Sequence, residues 1–294
     1  MTFMTKLLRL QLELFKPFVA GCSIETTRKG QDKLGGLMAR LHRSDVHYVP
    51  RHFDEFSGLW VLPKEQLQDG VIFYLHGGGY VGGDLEYAKG FATTLAVETH
   101  RKAFCIGYRL APEFPFPAAL NDALLAYKSL LQEGYPAEKI VLAGESAGGG
   151  LIYCLCLRLK ELGIPLPAGL IAISPWTDLK ASGPSYEANQ EADPSMVKER
   201  LLYYADCYAK DLENPLVSPL YGDLRRMPPS LIFVGGDEIM LDDAAGLHQK
   251  LLNSGCQSEL TIAPEMWHAY VLYHVKEAEV DYAKIVRFCS EVLP

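Results

Sequence analysis

Apolar and polar positions alternate along residues 45–53 and 58–62, the period of half-buried strands. The two stretches are close enough in sequence to pair antiparallel. Residues 71–75, 140–143 and 170–174 are short continuous apolar runs, as strands covered on both faces are, and 103–108, 230–234 and 260–262 read as further strands of the sheet. Helical spacing predicts helices over 117–132, 150–162, 197–210, 243–253 and 275–292. Strands alternating with helices specify βαβ units and a mainly parallel central sheet flanked by helices. Such sheets bind ligands at the carboxyl ends of their strands.

Two regions depart from this rhythm. Residues 5–20 place Leu7, Leu8, Leu12, Phe15 and Val19 on one side of a helix, widened by Leu10, Leu14 and Phe18. Pro17 is expected to kink or end it. Residues 26–41 form a second amphipathic helix with Gly35 and Gly36 inside it. Its stripe reads as packing surface, and the helix pair as a possible lid. Residues 181–225 are rich in proline, tyrosine and charge and poor in strand pattern. One helix there carries Leu201, Tyr204 and Tyr208 along a side. The expected division is N-terminal cap helices over 1–45, a core over 46–180, a cap insertion over 181–225 and the rest of the core over 226–294.

Composition narrows the function classes. The chain has 294 residues, 49% of them hydrophobic, enough for one large α/β core. Its net charge of −8 and lack of a basic run argue against nucleic acid as a partner. Seven scattered cysteines predict a reduced, cytoplasmic protein with buried thiols rather than a disulfide framework. Cys154 and Cys156 point to different helix faces, which argues against a metal pair. Val19-Ala20-Gly21-Cys22 resembles a lipoprotein cleavage box, but Gln11, Glu13 and Lys16 interrupt the uncharged core that a signal peptide needs. No apolar run is long enough to span a bilayer.

The chemistry centres on Gly144-Glu145-Ser146-Ala147-Gly148, a Gly-x-Ser-x-Gly pattern with a predicted strand before it and a helix after it. In such a turn a side chain two residues either side of the serine would strike the adjoining strand or helix, so glycine is required there. The Ala147 amide opens the helix, where negative charge is favoured. His76-Gly77-Gly78-Gly79-Tyr80 follows another central strand and exposes backbone amides. Asp237 and Glu238 both follow the 230–234 strand, and His268 follows the 260–262 strand. The order serine, acid, histidine points to His268 as base, and its rival His274 lies nearer the last helix. Either carboxylate can orient a histidine. Asp122 reads as a structural acceptor, and Asp242 and Asp243 as caps of the next helix.

Together these motifs resemble the hormone-sensitive-lipase-like esterases of the α/β-hydrolase fold. The carriers are His76-Gly77-Gly78-Gly79, Tyr108-Arg109-Leu110-Ala111-Pro112-Glu113, Gly144-Glu145-Ser146-Ala147-Gly148-Gly149 and His268-Ala269-Tyr270. Ser174-Pro175-Trp176-Thr177-Asp178 and Leu241-Asp242-Asp243-Ala244 look most like the bacterial acetyl-esterase and lactone-hydrolase branch. The resemblance implies a helical cap, no metal and no organic cofactor. It implies a serine carboxylesterase with Ser146 as nucleophile, His268 as base and Gly77, Gly78 and Ala147 as oxyanion donors. The acid is Glu238 by likeness to that branch, with Asp237 the alternative from other members. Glu145 departs from the aspartate or threonine many members carry. The implied substrates are small esters with short acyl chains. A non-catalytic ligand receptor on this fold, amide hydrolysis by the same triad, and homodimerisation through the sheet edge stay open.

Overall fold

The strand at residues 71–75 is buried along its whole length, and its side chains divide by pleat. Phe73 and Leu75 enter one core, Ile72 and Tyr74 another. The computed structural model describes residues 1–65 and 68–293. Their strands are β1 (Val46–His52), β2 (Ser57–Pro63), β3 (Val71–Leu75), β4 (Lys102–Gly107), β5 (Ile140–Glu145), β6 (Gly169–Ile173), β7 (Ser230–Gly235) and β8 (Ser258–Ala263). They form one sheet in the order β1-β2-β4-β3-β5-β6-β7-β8. β2 pairs antiparallel with β1 and β4, and every other pairing is parallel. All eight expected strands are present, with boundaries shifted by a few residues at most.

The helices are α1 (Phe3–Gly21), α2 (Ile24–Leu41), α3 (Leu85–Thr99), α4 (Ala118–Gln132), α5 (Ala147–Leu162), α6 (Ser185–Ala188), α7 (Lys198–Tyr208), α8 (Leu241–Asn253) and α9 (Glu279–Val292). Leu120 of α4, Leu151 and Leu155 of α5 and Leu247 of α8 join the Phe73 core. Phe91 and Leu95 of α3 and Ile285 and Phe288 of α9 join the Ile72 core. The sheet is thus covered on both faces from β3 to β7, which is why those strands read as continuous apolar runs, whereas the edge strand β8 has no fully buried residue.

Topology fixes where a site can lie. β3 feeds β4 on one side, and the chain then returns through α4 to β5 on the other side of β3. The order reverses there, opening a crevice at the carboxyl ends. The loops after β3, β5, β7 and β8 all leave from that edge, because those strands are parallel.

Several helices differ from expectation. α3 is not among the helices expected from spacing. It is buried continuously from Gly90 to Ala96, with Ala92, Thr93 and Thr94 between Phe91 and Leu95, so no single apolar stripe stands out. Asp84 caps it by accepting from the Glu86 and Tyr87 amides. α1 runs through Pro17 to Gly21 rather than ending there. Asp242 and Asp243 do not cap α8. They lie in its first turn and reach outward: Asp243 accepts from the Thr177 and Asp178 amides at 2.8 and 2.9 Å, and Asp242 from the Ser185 amide at 2.6 Å. They fasten the start of the 181–225 segment to α8. Asp122 is the structural acceptor expected, taking the Arg109 amide and guanidinium.

The two glycines inside α2 have opposite surroundings. A Cβ on Gly35 would fall 2.4 Å from Cα of Tyr87 in α3, whereas one on Gly36 meets nothing within 4 Å. Gly35 is what lets α2 lie against α3. Gly36→Ala should therefore stabilise the protein by up to about 1 kcal/mol, the ordinary helix preference. Gly35→Ala should cost roughly 1–3 kcal/mol through overpacking. Urea unfolding of the two variants checks this, and equal shifts would contradict the packing argument.

Candidate active site

Ser146 has φ 54° and ψ −122°, a backbone strain between β5 and α5. Its neighbours enforce that turn. A Cβ on Gly144 would sit 2.4 Å from the Gly148 carbonyl oxygen, and one on Gly148 2.1 Å from the Leu75 oxygen at the end of β3. The Ser146 amide donates to the Ile173 carbonyl and its own carbonyl accepts from Trp176, each at 2.9 Å. The strain is thus held by β3 on one side and the end of β6 on the other.

His268 follows β8, and its Nδ1 lies 2.8 Å from Glu238 Oε2. Glu238 is fully buried. Its other oxygen accepts from Ser174 Oγ at 2.7 Å and from the Gly235 amide at 2.5 Å. Ser174 Oγ in turn accepts from the Ala269 amide at 3.0 Å, so one hydroxyl ties acid and histidine loops together. Burial opposes a charge on His268. The hydrogen bond and charge of Glu238, with Asp193 and Glu145 beyond it, outweigh burial and raise its pKa above the usual 6.5. Asp237, the alternative acid, turns the other way and pairs with Arg9 of α1 at 2.9 Å. His274 bonds Thr94 Oγ1 at 3.1 Å, and burial lowers its pKa.

Ser146 and His268 line one cavity of about 630 Å³, together with Gly78, Gly79, Glu145 and Tyr87. Its outer wall comes from α1, α2 and α7, through residues such as Leu12, Phe15, Gln31, Met38, Leu201 and Tyr204. Ser146 and His268 are not joined by a hydrogen bond in this conformation. Catalytic contacts of this kind often tighten only when substrate binds.

The glycine loop differs in detail from expectation. The Gly77 amide does not face the cavity. It donates to Glu145 Oε1 at 2.5 Å. The Gly78 and Gly79 amides, and that of Ala147 at the start of α5, have no partner among the described residues. The Tyr74 hydroxyl donates to the other Glu145 oxygen, and Tyr87 lies beside it. Burial pushes the Glu145 carboxyl up to about 7, against the lowering by Tyr74, Gly77 and Tyr87. His76 does not reach the serine. Its ring stacks on Tyr108 at 4.1 Å, its Nδ1 bonds the Gly77 carbonyl, and burial lowers its pKa to about 4.

Further supports escape sequence reasoning. Asp193 is fully buried; it accepts from the Ile239 amide beside Glu238 at 3.0 Å and, through its other oxygen, from the Ser195 and Met196 amides of the cavity wall. Asn189 Nδ2 donates to the Glu238 carbonyl at 3.0 Å. Both come from the segment with the least pattern, and nothing local marks them. Gly79 adjoins the expected donors and could have been found by weighing all three glycines.

Comparison with known proteins bears on the fold and the family. A family described as having the α/β-hydrolase fold matches residues 72–272. The chain is 38% identical to an acetyl-hydrolase of Streptomyces hygroscopicus over 218 residues, 73% of this chain and 72% of that protein. It is 33% identical to an esterase of Acinetobacter venetianus, over 76% of this chain and 75% of the other. Among solved structures, an esterase from the bacterial hormone-sensitive lipase family superposes with a TM-score of 0.87 at 32% identity, covering 97% and 98% of the two chains. A hormone-sensitive-lipase homologue, EstE7, from a metagenome library gives 0.86 at 32% identity over the same shares. The chain belongs to the α/β-hydrolase family and, within it, to the esterases of the hormone-sensitive-lipase type.

Proposed function

We propose that this protein is a serine carboxylesterase that hydrolyses small esters with short acyl chains through an acyl-enzyme. The observation that carries the reading is the chain of contacts from Ser174 and Gly235 through Glu238 to His268, on the cavity that holds Ser146. The likeness to an acetyl-hydrolase supports the short acyl group. The helices α1, α2 and α7 act as the cap that bounds the pocket.

Neutral His268 accepts the Ser146 proton as Oγ attacks the ester carbonyl. The carbonyl π electrons move to oxygen and form a tetrahedral oxyanion. Collapse expels the alkoxide, which takes the proton from His268. Water then attacks the acyl-enzyme by the same route, returning the proton to Ser146 and releasing the acid. Glu238 fixes the ring tautomer with Nε2 free and stabilises the imidazolium. The Gly78, Gly79 and Ala147 amides receive the oxyanion. One such donor is typically worth ~3–4 kcal/mol. Gly77, expected among these donors, instead anchors the loop through Glu145.

Ser146→Ala should lower turnover on the order of 10⁶-fold while preserving the fold. Circular dichroism beside an ester assay checks both, and substantial surviving activity would remove Ser146 from the mechanism. Glu238→Ala should lose about 10⁴-fold, and Asp237→Ala should stay within about tenfold, since its carboxylate serves Arg9. The reverse ranking would reassign the acid.

The pH profile follows from the sign of the His268 shift. A raised pKa keeps the ring protonated, and useless as a base, to higher pH. kcat/KM should therefore rise with an apparent pKa above 6.5, and Glu238→Gln should move that limb to lower pH. A series of p-nitrophenyl esters tests acyl length, and faster turnover of long-chain than of acetyl or butyryl esters would refute the substrate class.

A further inference from the structure

α1 is apolar on two sides: Leu8 and Leu12 are half-buried against the Ile72 core, and a second apolar side faces outward. Its one buried side chain is Thr5. Its polar side holds the body: Arg9 donates to the Glu265 and Ala192 carbonyls and pairs with Asp237, and Lys16 Nζ donates to the Gln190 and Asp193 carbonyls. The opposite side turns Phe3, Leu10, Leu14 and Phe18 to solvent, with Leu14 72% and Phe18 61% exposed. Leu37 and Leu41 of α2 are about as exposed as Phe18. Phe15, Phe18, Leu37 and Leu41 also line the cavity, so this apolar face is its rim. An exposed apolar patch continuous with a pocket mouth marks an interaction surface.

Its charge narrows the partner. The first 43 residues hold eight Lys and Arg against three Asp and Glu, a local charge of +5 in a chain of −8. Lys6, Lys33, Arg40 and Arg43 are exposed and make no ion pair among the described residues. Of the nearby acids, Glu13 and Glu25 are already paired with Arg9 and Lys29. A symmetric second copy would set two such basic patches against each other. Exposed apolar side chains flanked by free cations match a surface with anionic headgroups over an acyl layer.

We propose that α1 and α2 dock this protein onto an anionic lipid surface, with the cavity mouth facing the lipid. Phe3, Leu10, Leu14 and Phe18 enter the headgroup boundary, and Lys6, Lys33, Arg40 and Arg43 meet the anionic groups. Esters that partition into the surface then reach the cavity without crossing bulk water. Docking needs no chemistry at Ser146, so Ser146→Ala should bind equally well, and failure of the hydrolytic reading would leave this result untouched.

The test is co-sedimentation of the full chain with vesicles of phosphatidylglycerol and phosphatidylcholine, compared with phosphatidylcholine alone. Binding should be at least about tenfold stronger to the anionic vesicles and should weaken as salt rises. Lys33→Glu with Arg40→Glu should lower it at least about tenfold, and Leu14→Ser severalfold. None of these three residues lines the cavity, so turnover of a soluble acetyl ester should persist and report a folded protein. No binding to anionic vesicles, or equal binding to both compositions, would overturn the proposal. So would a dimer that Leu14→Ser dissociates in a protein that ignores vesicles, which would assign the face to a second copy.

Discussion

The passage of residue 148 beneath the end of β3 is the constraint on which the site depends. The Leu75 and His76 carbonyl oxygens occupy the space where any side chain on residue 148 would begin. Because that space is closed, α5 can start directly under β3, and its first amide, that of Ala147, comes beside the loop that β3 feeds. The serine and two sets of backbone donors are thereby assembled by one close contact. Glu145 secures the arrangement from the other side, since the residue before Ser146 grips the first glycine of the loop after β3. A carboxylate buried this deeply is costly unless its oxygens are satisfied, and here Tyr74 and the Gly77 amide satisfy them.

The loop after β7 shows how a fold sorts two adjacent carboxylates. Asp237 and Glu238 differ by one methylene and one position, and the backbone turns them to opposite sides. Glu238 points inward to a hydroxyl, an amide and an imidazole. Asp237 points outward to Arg9. The choice between them was never a matter of acidity. It is set by which surroundings hold a donor network and which hold a cation.

Much of this was legible in the chain. Two-residue alternation found β1 and β2, and short apolar runs found the central strands, because burial on two faces leaves a plain compositional trace. The glycines around Ser146 announced their collisions before any distance was known. Other features were hidden for definite reasons. α3 is buried nearly all round, with small residues between Phe91 and Leu95, so its periodicity is faint. The fate of the Gly77 amide depends on Glu145, which lies far away in sequence and close only once β3 and β5 pair. The stripe on α1 was readable, but periodicity reports that a helix has an apolar side and not which way that side looks. Asn189 and Asp193 belong to a segment without pattern, and only the folded loop gives them partners.

Asp193 joins two structures that are usually thought of separately. One of its oxygens holds the backbone beside Glu238, and the other holds the turn that carries Ser195 and Met196 into the cavity. A substitution that reshapes the pocket at 195 or 196 therefore pulls on the backbone beside Glu238, the partner of His268. In this protein, substrate range cannot drift freely while turnover stays fixed. Variation on α2 escapes this coupling, because among the described residues its side chains make no bond to Asp193 or Glu238.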